Sequence, residues 1–412
     1  MGPEVDVAVV GGGPAGLAAA VAAKEAGAAS VVILEREECL GGILPQCIHT
    51  GFGLARFGED LTGPEYAERY AGLAAEAGVE VLLGTTVLGL APGPVLRAVN
   101  PSVGLFKVHA RGVVLAMGCR ERTRVQAGIG GTRPAGVFTA GVAQRYLNIE
   151  GCLPGQSAVI VGSGDVGLLL ARRLTLCGAR VAGVYEQLPY ASGLMRNVVQ
   201  CLHDFGIPLH LSHTVLEVHG RGRVEAVTVA QVTEGRPVPG SETVVPCDSL
   251  VVSVGLIPEN ELTRSAGALM DTATGGPVVD SRYRTTLPGV YACGNVVHVH
   301  DLVDHVSAAA AVAGADAARP AAGPAVPIVA GDNVRYVVPQ RLVTGTPVRV
   351  YCRVVRPQRD VELAVCCGSR VIGRRREAAV RPPELLCLDL PAQSPDELTG
   401  PVVVNCHPRE VA

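Results

Sequence analysis

The chain has 412 residues, 48% apolar and 18% charged, with a formal net charge of −3. That apolar content excludes global disorder, and the near-balance of charge leaves no basic excess to grip nucleic acid. Thirteen scattered cysteines, an odd number, read as reduced thiols of a cytoplasmic protein rather than as a disulfide scaffold. No basic segment precedes the short apolar run at 5–10, so no signal peptide is expected. No stretch reaches the roughly 18 unbroken apolar residues of a membrane span.

In chain order, the run at 5–10 leads into Gly11-Gly12-Gly13-Pro14-Ala15-Gly16 and an alanine-rich helical stretch reaching Gly27. A second run at 31–34 ends at Glu35. An amphipathic helix is predicted over 65–77 and a strand over 79–83. Residues 105–110 and 112–116 read as an antiparallel excursion returning to a parallel sheet, and 140–149 as a helix. At 158–161 the opening pattern returns. A strand leads into Gly162-Ser163-Gly164-Asp165-Val166-Gly167, a helix reaches Cys177, and a strand at 180–185 ends at Glu186. A helix near 196–205 precedes strands at 208–211, 215–218, 224–232 and 249–254. A strand at 290–292 leads to Gly294-Asn295 and a long helix from about Asp301. The Pro- and Ala-rich stretch 319–329 marks a linker. Short β-type runs at 334–338, 347–355, 361–365, 385–390 and 402–405 then predict a small β module.

The spacing from Gly11 to Glu35 equals that from Gly162 to Glu186. Each glycine cluster follows a strand, opens a helix and meets a carboxylate at the end of the next strand, the context that makes the motif specific. The first glycine permits a tight turn, and the second lets backbone approach a pyrophosphate. The third lets helix and strand pack closely, while the helix N-terminus stabilises negative charge. The carboxylate accepts hydrogen bonds from ribose hydroxyls.

Two such units in one chain resemble the two-dinucleotide-binding-domain flavoproteins, which include the pyridine nucleotide–disulfide oxidoreductases. Val113-Val114-Leu115-Ala116-Met117-Gly118 is similar to the family's strand ending A-T-G beside the FAD. VVSVGLIP at 251–258 is similar to its second crossing, V-G-x-x-P. TTLPGVYACGN at 285–295 is similar to the last FAD motif, which ends in aspartate where this chain has Asn295. An amide can still donate and accept there.

The implied fold is α/β, with two interleaved Rossmann-like dinucleotide-binding domains, for FAD and NAD, plus a small C-terminal all-β sandwich-like domain. Expected boundaries are 1–150 and 256–320 for the FAD domain, 151–255 for the NAD(P) domain, 321–330 for a linker and 331–412 for the β domain. The resemblance implies FAD held by Gly11, Gly13, Pro14, Ala15, Gly16, Glu35, Gly42, Ala116, Gly118, Gly294, Asn295 and Asp301. It implies a nicotinamide dinucleotide held by Gly162, Gly164, Asp165, Gly167, Glu186 and Gly255. Glu186 favours NAD(H) over NADP(H), because a carboxylate bonds a free 2′-hydroxyl and repels a 2′-phosphate.

Three longer strings are similar to one branch of that superfamily: LGGILPQCIH at 40–49, GTRPAGVFTAGVAQ at 131–144 and HVHDLVD at 298–304. The branch comprises the larger subunits of sarcosine, opine and hydroxyproline oxidase or dehydrogenase complexes and of hydrogen cyanide synthase. It also includes flavoproteins encoded beside anaerobic glycerol-3-phosphate dehydrogenase. The resemblance implies hydride transfer between NAD(H) and FAD, and electron transfer to or from a partner flavoprotein dehydrogenase subunit. A homo-oligomer is compatible with it.

Disulfide reductases of the superfamily carry C-x4-C beside the first Gly-Gly pair or C-x2-C in the second domain. Neither spacing occurs here. Cys47 alone stands near the place of a redox cysteine, either as a lone reactive thiol or as a packed one. Without C-x2-C pairs, neither an iron–sulfur cluster nor a structural zinc is expected. His49, His298 and His300 lie within the family-like strings, and His300 is the candidate for moving a proton beside a flavin. The plain alternative is a histidine bonded for structure, with Asp301 and Asp304 as capping or surface residues. Two other functions stay open: a stand-alone NADH oxidase or peroxidase using Cys47, and a non-catalytic nucleotide-binding scaffold. The β module is expected to dock a partner or to cover an apolar face of the flavin domains.

Overall fold

The computed structural model describes residues 4–321, 323–398 and 400–409. Two compact units divide the chain: Met1–Cys119 together with Pro258–Ala412, and Arg120–Ile257.

The first unit holds a seven-stranded sheet. Its order is Glu80–Leu82, Val31–Leu34, Glu4–Val10, Gly104–Leu115, Val95–Asn100 and Thr86–Ala91, with Val290–Ala292 also paired to Gly104–Leu115. Glu4–Val10 runs parallel to Val31–Leu34 on one side and to the second half of Gly104–Leu115 on the other. Val7–Val10 and Val31–Leu34 are buried throughout, as expected of parallel strands covered on both faces. Helices Pro14–Glu25 and Val303–Ala318 pack on each other and on this sheet. The helix Gly63–Glu76 begins in a capping box: Glu65 N donates to Thr62 Oγ1, and Thr62 N donates to Glu65 Oε2 at 2.7 Å.

The two short strands expected at 105–110 and 112–116 are one strand, Gly104–Leu115. Its first half is antiparallel to Val95–Asn100 and its second half parallel to Glu4–Val10. Arg111 does not interrupt it, because the side chain points to solvent and pairs with Asp6 at 3.2 Å.

Beyond the linker, five- and three-stranded sheets enclose a core that includes Ile328, Val350, Val354, Leu363 and Val365. The strand Ala325–Ala330 forms inside the expected linker. It pairs with Arg341–Val343 and then with Val402–Pro408, so its branched apolar residues outweigh the punctuation of Pro327. The module does not hang free of the flavin-type domain. Tyr336, Val338 and Tyr351 belong to the same buried core as Glu4–Val10 and Val303–Ala318.

The second unit holds a five-stranded parallel sheet, ordered Val137–Thr139, Ser249–Val252, Ser157–Val161, Arg180–Glu186 and Leu209–Leu211. Antiparallel strands His213–His219, Ala226–Thr233 and Thr243–Pro246 extend the unit. The boundary expected at residue 150 falls instead between Cys119 and Arg120. Val137–Thr139 pairs with Ser249–Val252, and the helix Ala140–Asn148 buries Ala140, Ala143 and Leu147 in the second unit's core.

Candidate functional site

In the first unit, Gly11 adopts φ +102° at the end of Glu4–Val10. A Cβ there would lie 2.6 Å from Ala116 O, so a side chain cannot enter the turn. Gly13 caps Pro14–Glu25 without any side-chain bond, leaving the first-turn amides free of a side-chain cap. Gly41 N donates to Gly12 O at 2.9 Å and brings Gly42 against Gly13. Glu35 is buried, at 5% exposure, and takes Gly12 N on Oε2 at 2.5 Å and Glu37 N on Oε1 at 2.8 Å. A carboxylate has about four acceptor positions. Among the described residues one therefore stays open on each oxygen, the arrangement that a ribose diol needs. Together with the uncapped helix, this turn fits a nucleotide pyrophosphate and its ribose.

The second unit repeats the geometry. Gly162 has φ +94°, and a Cβ there would collide with Ser253 O. Gly164 caps Asp165–Leu176 without a side-chain bond and faces open space. A Cβ on Gly167 would meet Ser253 Oγ at 2.8 Å. Glu186, 4% exposed, takes Ser163 N on Oε2 and Leu188 N on Oε1, each at 3.0 Å. Asp165 turns toward the start of the helix Met195–Cys201, where its Oδ1 accepts from Leu194 N at 2.9 Å and Asn197 Nδ2 at 2.6 Å. Gly255, at φ +100°, accepts from Arg122 N at 3.0 Å.

Asn295 follows Gly294 in a single 3-10 turn. Its Oδ1 accepts from His300 N at 3.0 Å, and its Nδ2 donates to Cys119 Sγ at 3.6 Å. His300 is buried against His298, ring centroids 4.1 Å apart, and against Tyr351 at 5.3 Å. Burial pushes the His300 pKa down to about 3, so the ring is neutral near pH 7. His298 is buried as well, and neither ring nitrogen has a partner among the described residues. His49 has its Nδ1 on Thr50 O at 2.8 Å and its ring beside Phe52.

Asp301 neither caps the helix Val303–Ala318, whose N-cap is Leu302, nor stays free. Its carboxylate pairs with Arg353 Nη2 at 2.5 Å and accepts from Leu385 N at 2.6 Å. Arg353 also donates to Val299 O at 3.1 Å, to Tyr336 Oη at 3.0 Å and to Pro383 O. The β module thus clamps the histidine-bearing string.

Cys47 ends the short turn after Gly42, and its thiol donates to Ile43 O at 3.4 Å. Burial pushes its pKa up to about 12, opposite to what a nucleophilic thiolate requires. All thirteen cysteines are free. Among the described residues no group of three or more His, Cys, Asp or Glu side chains is placed to hold a metal ion.

Sequence reasoning missed Ser163, Ser192, Asn197, Arg353 and Tyr351. Ser163 occupies a variable position of the glycine motif, where residue type carries little signal. The others reach their partners from a loop (Ser192), from the separate short helix Met195–Cys201 (Asn197) or from the distant β module (Arg353 and Tyr351).

Two glycine turns, each ending in an uncapped helix and each paired with a buried carboxylate, define a protein with two dinucleotide-binding folds. The profile of the pyridine nucleotide-disulphide oxidoreductase family matches residues 5–317, and the chain belongs to that family. It is accordingly a flavoprotein oxidoreductase, and membership implies FAD and a pyridine nucleotide. The chain is 32% identical over 246 residues to sarcosine oxidase subunit alpha of Rhizobium meliloti, covering 54% of this chain and 23% of that protein. It is 30% identical over 280 residues to hydrogen cyanide synthase subunit HcnB of Pseudomonas protegens, covering 63% and 58% respectively. Both matches thus span less than two thirds of the relative's length. The solved thioredoxin reductase of T. acidophilum superposes with a TM-score of 0.63 at 25% identity, covering 76% of this chain and 98% of that one. No helix among the described residues is long and apolar enough to cross a membrane.

Proposed function

We propose that the chain transfers hydride between NAD(H) and FAD and exchanges electrons with a partner dehydrogenase subunit, in the cytoplasm. The observation that carries this reading is the duplicated turn: two glycine clusters of equal spacing, each bonded to its carboxylate through the same pair of backbone amides. A partner subunit is supported by relatives that are themselves named as subunits, of sarcosine oxidase, opine oxidase and hydrogen cyanide synthase.

FAD, when bound, supplies the redox chemistry. The first-turn amides after Gly13 hold its pyrophosphate, and Glu35 accepts from its ribose. Asn295 presents an amide where the family has a carboxylate. The N-terminus of Val303–Ala318 offers partial positive charge. His300 positions Asn295 through its backbone N–H, and the neutral, buried ring is poorly suited to carrying a proton near pH 7. The packed Cys47 thiol opposes the peroxidase reading. Gly162, Gly164 and Glu186 hold the pyridine nucleotide, and the Glu186 carboxylate rejects a 2′-phosphate.

Stopped-flow reduction of the FAD-loaded full chain tests this. NADH should bleach the flavin faster than NADPH, and Glu186→Arg should narrow or reverse the ratio. A flavin that neither nucleotide reduces would point to a scaffold. Faster reduction of the unmodified chain by NADPH would overturn the NAD(H) assignment.

A further inference from the structure

Glu35 and Glu186 hold equivalent places, yet their acceptor positions are filled differently. Glu35 takes one backbone amide on each oxygen. Glu186 takes the same two amides, and two hydroxyls then add to Oε2: Ser163 Oγ at 2.6 Å and Ser192 Oγ at 2.7 Å. With Ser163 N, three donors converge on an oxygen that offers about two lone pairs. Ser192 N donates to Ser163 Oγ at 2.8 Å, which closes a ring of Ser163, Glu186 and Ser192.

The segment carrying Ser192 is fastened at a second point. Leu194 N and Asn197 Nδ2 both donate to Asp165 Oδ1, at the first turn of the nucleotide helix. Between the fastenings, Gly193 lies against the glycine turn. A Cβ there would come 2.7 Å from Leu168 Cδ1, 2.8 Å from Asp165 Oδ1 and 2.9 Å from Ser163 O, so only glycine passes. All of these residues belong to the second unit.

We infer that residues 188–194 form an internal strap whose Ser192 hydroxyl occupies the Glu186 position that a ribose hydroxyl would take, so dinucleotide binding there requires Ser192 to let go. The inference rests on the proposed role of the second unit. Nucleotide affinity is then lowered by the fraction of molecules held latched. The first unit has no such competitor on Glu35 among the described residues.

Titration calorimetry of the FAD-loaded full chain with NAD+ provides the test. Ser192→Ala removes the strap's donor from Oε2 and leaves Ser163 Oγ, which belongs to the glycine turn itself, and Glu186 in place. It should tighten NAD+ binding about five- to ten-fold, the equivalent of one ordinary intramolecular hydrogen bond. Asn197→Ala loosens the other fastening and should tighten binding in the same direction. Hydrogen exchange gives an independent readout: NAD+ should speed exchange of the Ser192 and Leu194 amides in the unmodified chain. If both variants bind NAD+ equally or more weakly, or if NAD+ protects those amides, the strap is part of the nucleotide site and the inference falls. If the unmodified chain binds NAD+ and only the variants' behaviour disagrees, the role of the second unit survives. If no chain binds NAD+ at all, that role and the strap fall together.

Discussion

The two glycine units share spacing, strand–turn–helix order and the pair of backbone amides on the carboxylate. They differ in the path of the chain beyond the carboxylate. After Glu35 the chain returns to the glycine turn at Gly41 without placing a hydroxyl on the carboxylate, so among the described residues its further acceptor positions stay open. After Glu186 the chain doubles back, and Ser192 fills one. The motif therefore fixes backbone geometry, while the loop behind it decides how ready the site is to take a ligand. The units also differ in support. The first shares a core with the C-terminal module and ties its histidine string to Arg353, whereas the second is built from the uninterrupted stretch Arg120–Ile257.

The largest effect should come from placing the same side chain in both turns. Gly11→Val forces a Cβ into Ala116 O at a positive φ. The purified protein should be colourless, as measured by flavin released on denaturation. Gly162→Val should stay yellow and lose NAD+ binding in calorimetry. If Gly11→Val keeps a full complement of FAD, the two units have been assigned the wrong ligands.

A smaller effect should follow from loosening the brace on the first unit. The Arg353 and Asp301 side chains are 13% and 24% exposed, so removing one leaves a largely buried charge unpaired. Arg353→Met should cost about 3 kcal/mol, read as a lower thermal midpoint with FAD loss at lower temperature. An unchanged midpoint would mean that the module does not brace the flavin-type domain.

The smallest effect is expected at Cys47, where the two-unit picture needs no thiol. Cys47→Ser should keep flavin reduction by NADH within roughly 0.5 kcal/mol of the unmodified barrier. With its pKa near 12, Cys47 stays protonated through neutral and mildly basic pH. Its alkylation should therefore not accelerate between about pH 7 and 9, where a model thiol ionises. Loss of dye reduction with FAD still bound would revive a thiol mechanism.

Much of this was legible from residues 5–35, 158–186 and 285–295. There the apolar runs, glycines and closing carboxylates impose strict local geometry. The strand Arg370–Val380 was not, because its exposed run Arg374-Arg375-Arg376 carries no apolar alternation although it pairs along Gln358–Cys367. The start of the second unit was hidden for a related reason. Val137–Thr139 is only three residues long and becomes a strand through pairing with Ser249–Val252, far along the chain. Asp301 read as a helix cap or cofactor contact because its ionic partner, Arg353, lies in a different module. Ser192 carried no signal, since nothing local reveals that its hydroxyl returns to Glu186.

The split first unit has a consequence for the order in which the nascent chain matures. All strands of the second unit's parallel sheet are available once Val252 has left the ribosome. The first unit waits longer. Gly104–Leu115 meets Val290–Ala292 only after the whole intervening unit has been made, and Tyr336 and Tyr351 arrive later still. At roughly 5–20 residues per second, that delay is on the order of tens of seconds. The second unit therefore finishes folding first, while the N-terminal half of the flavin-type domain remains an incomplete sheet with apolar surface open to chaperones.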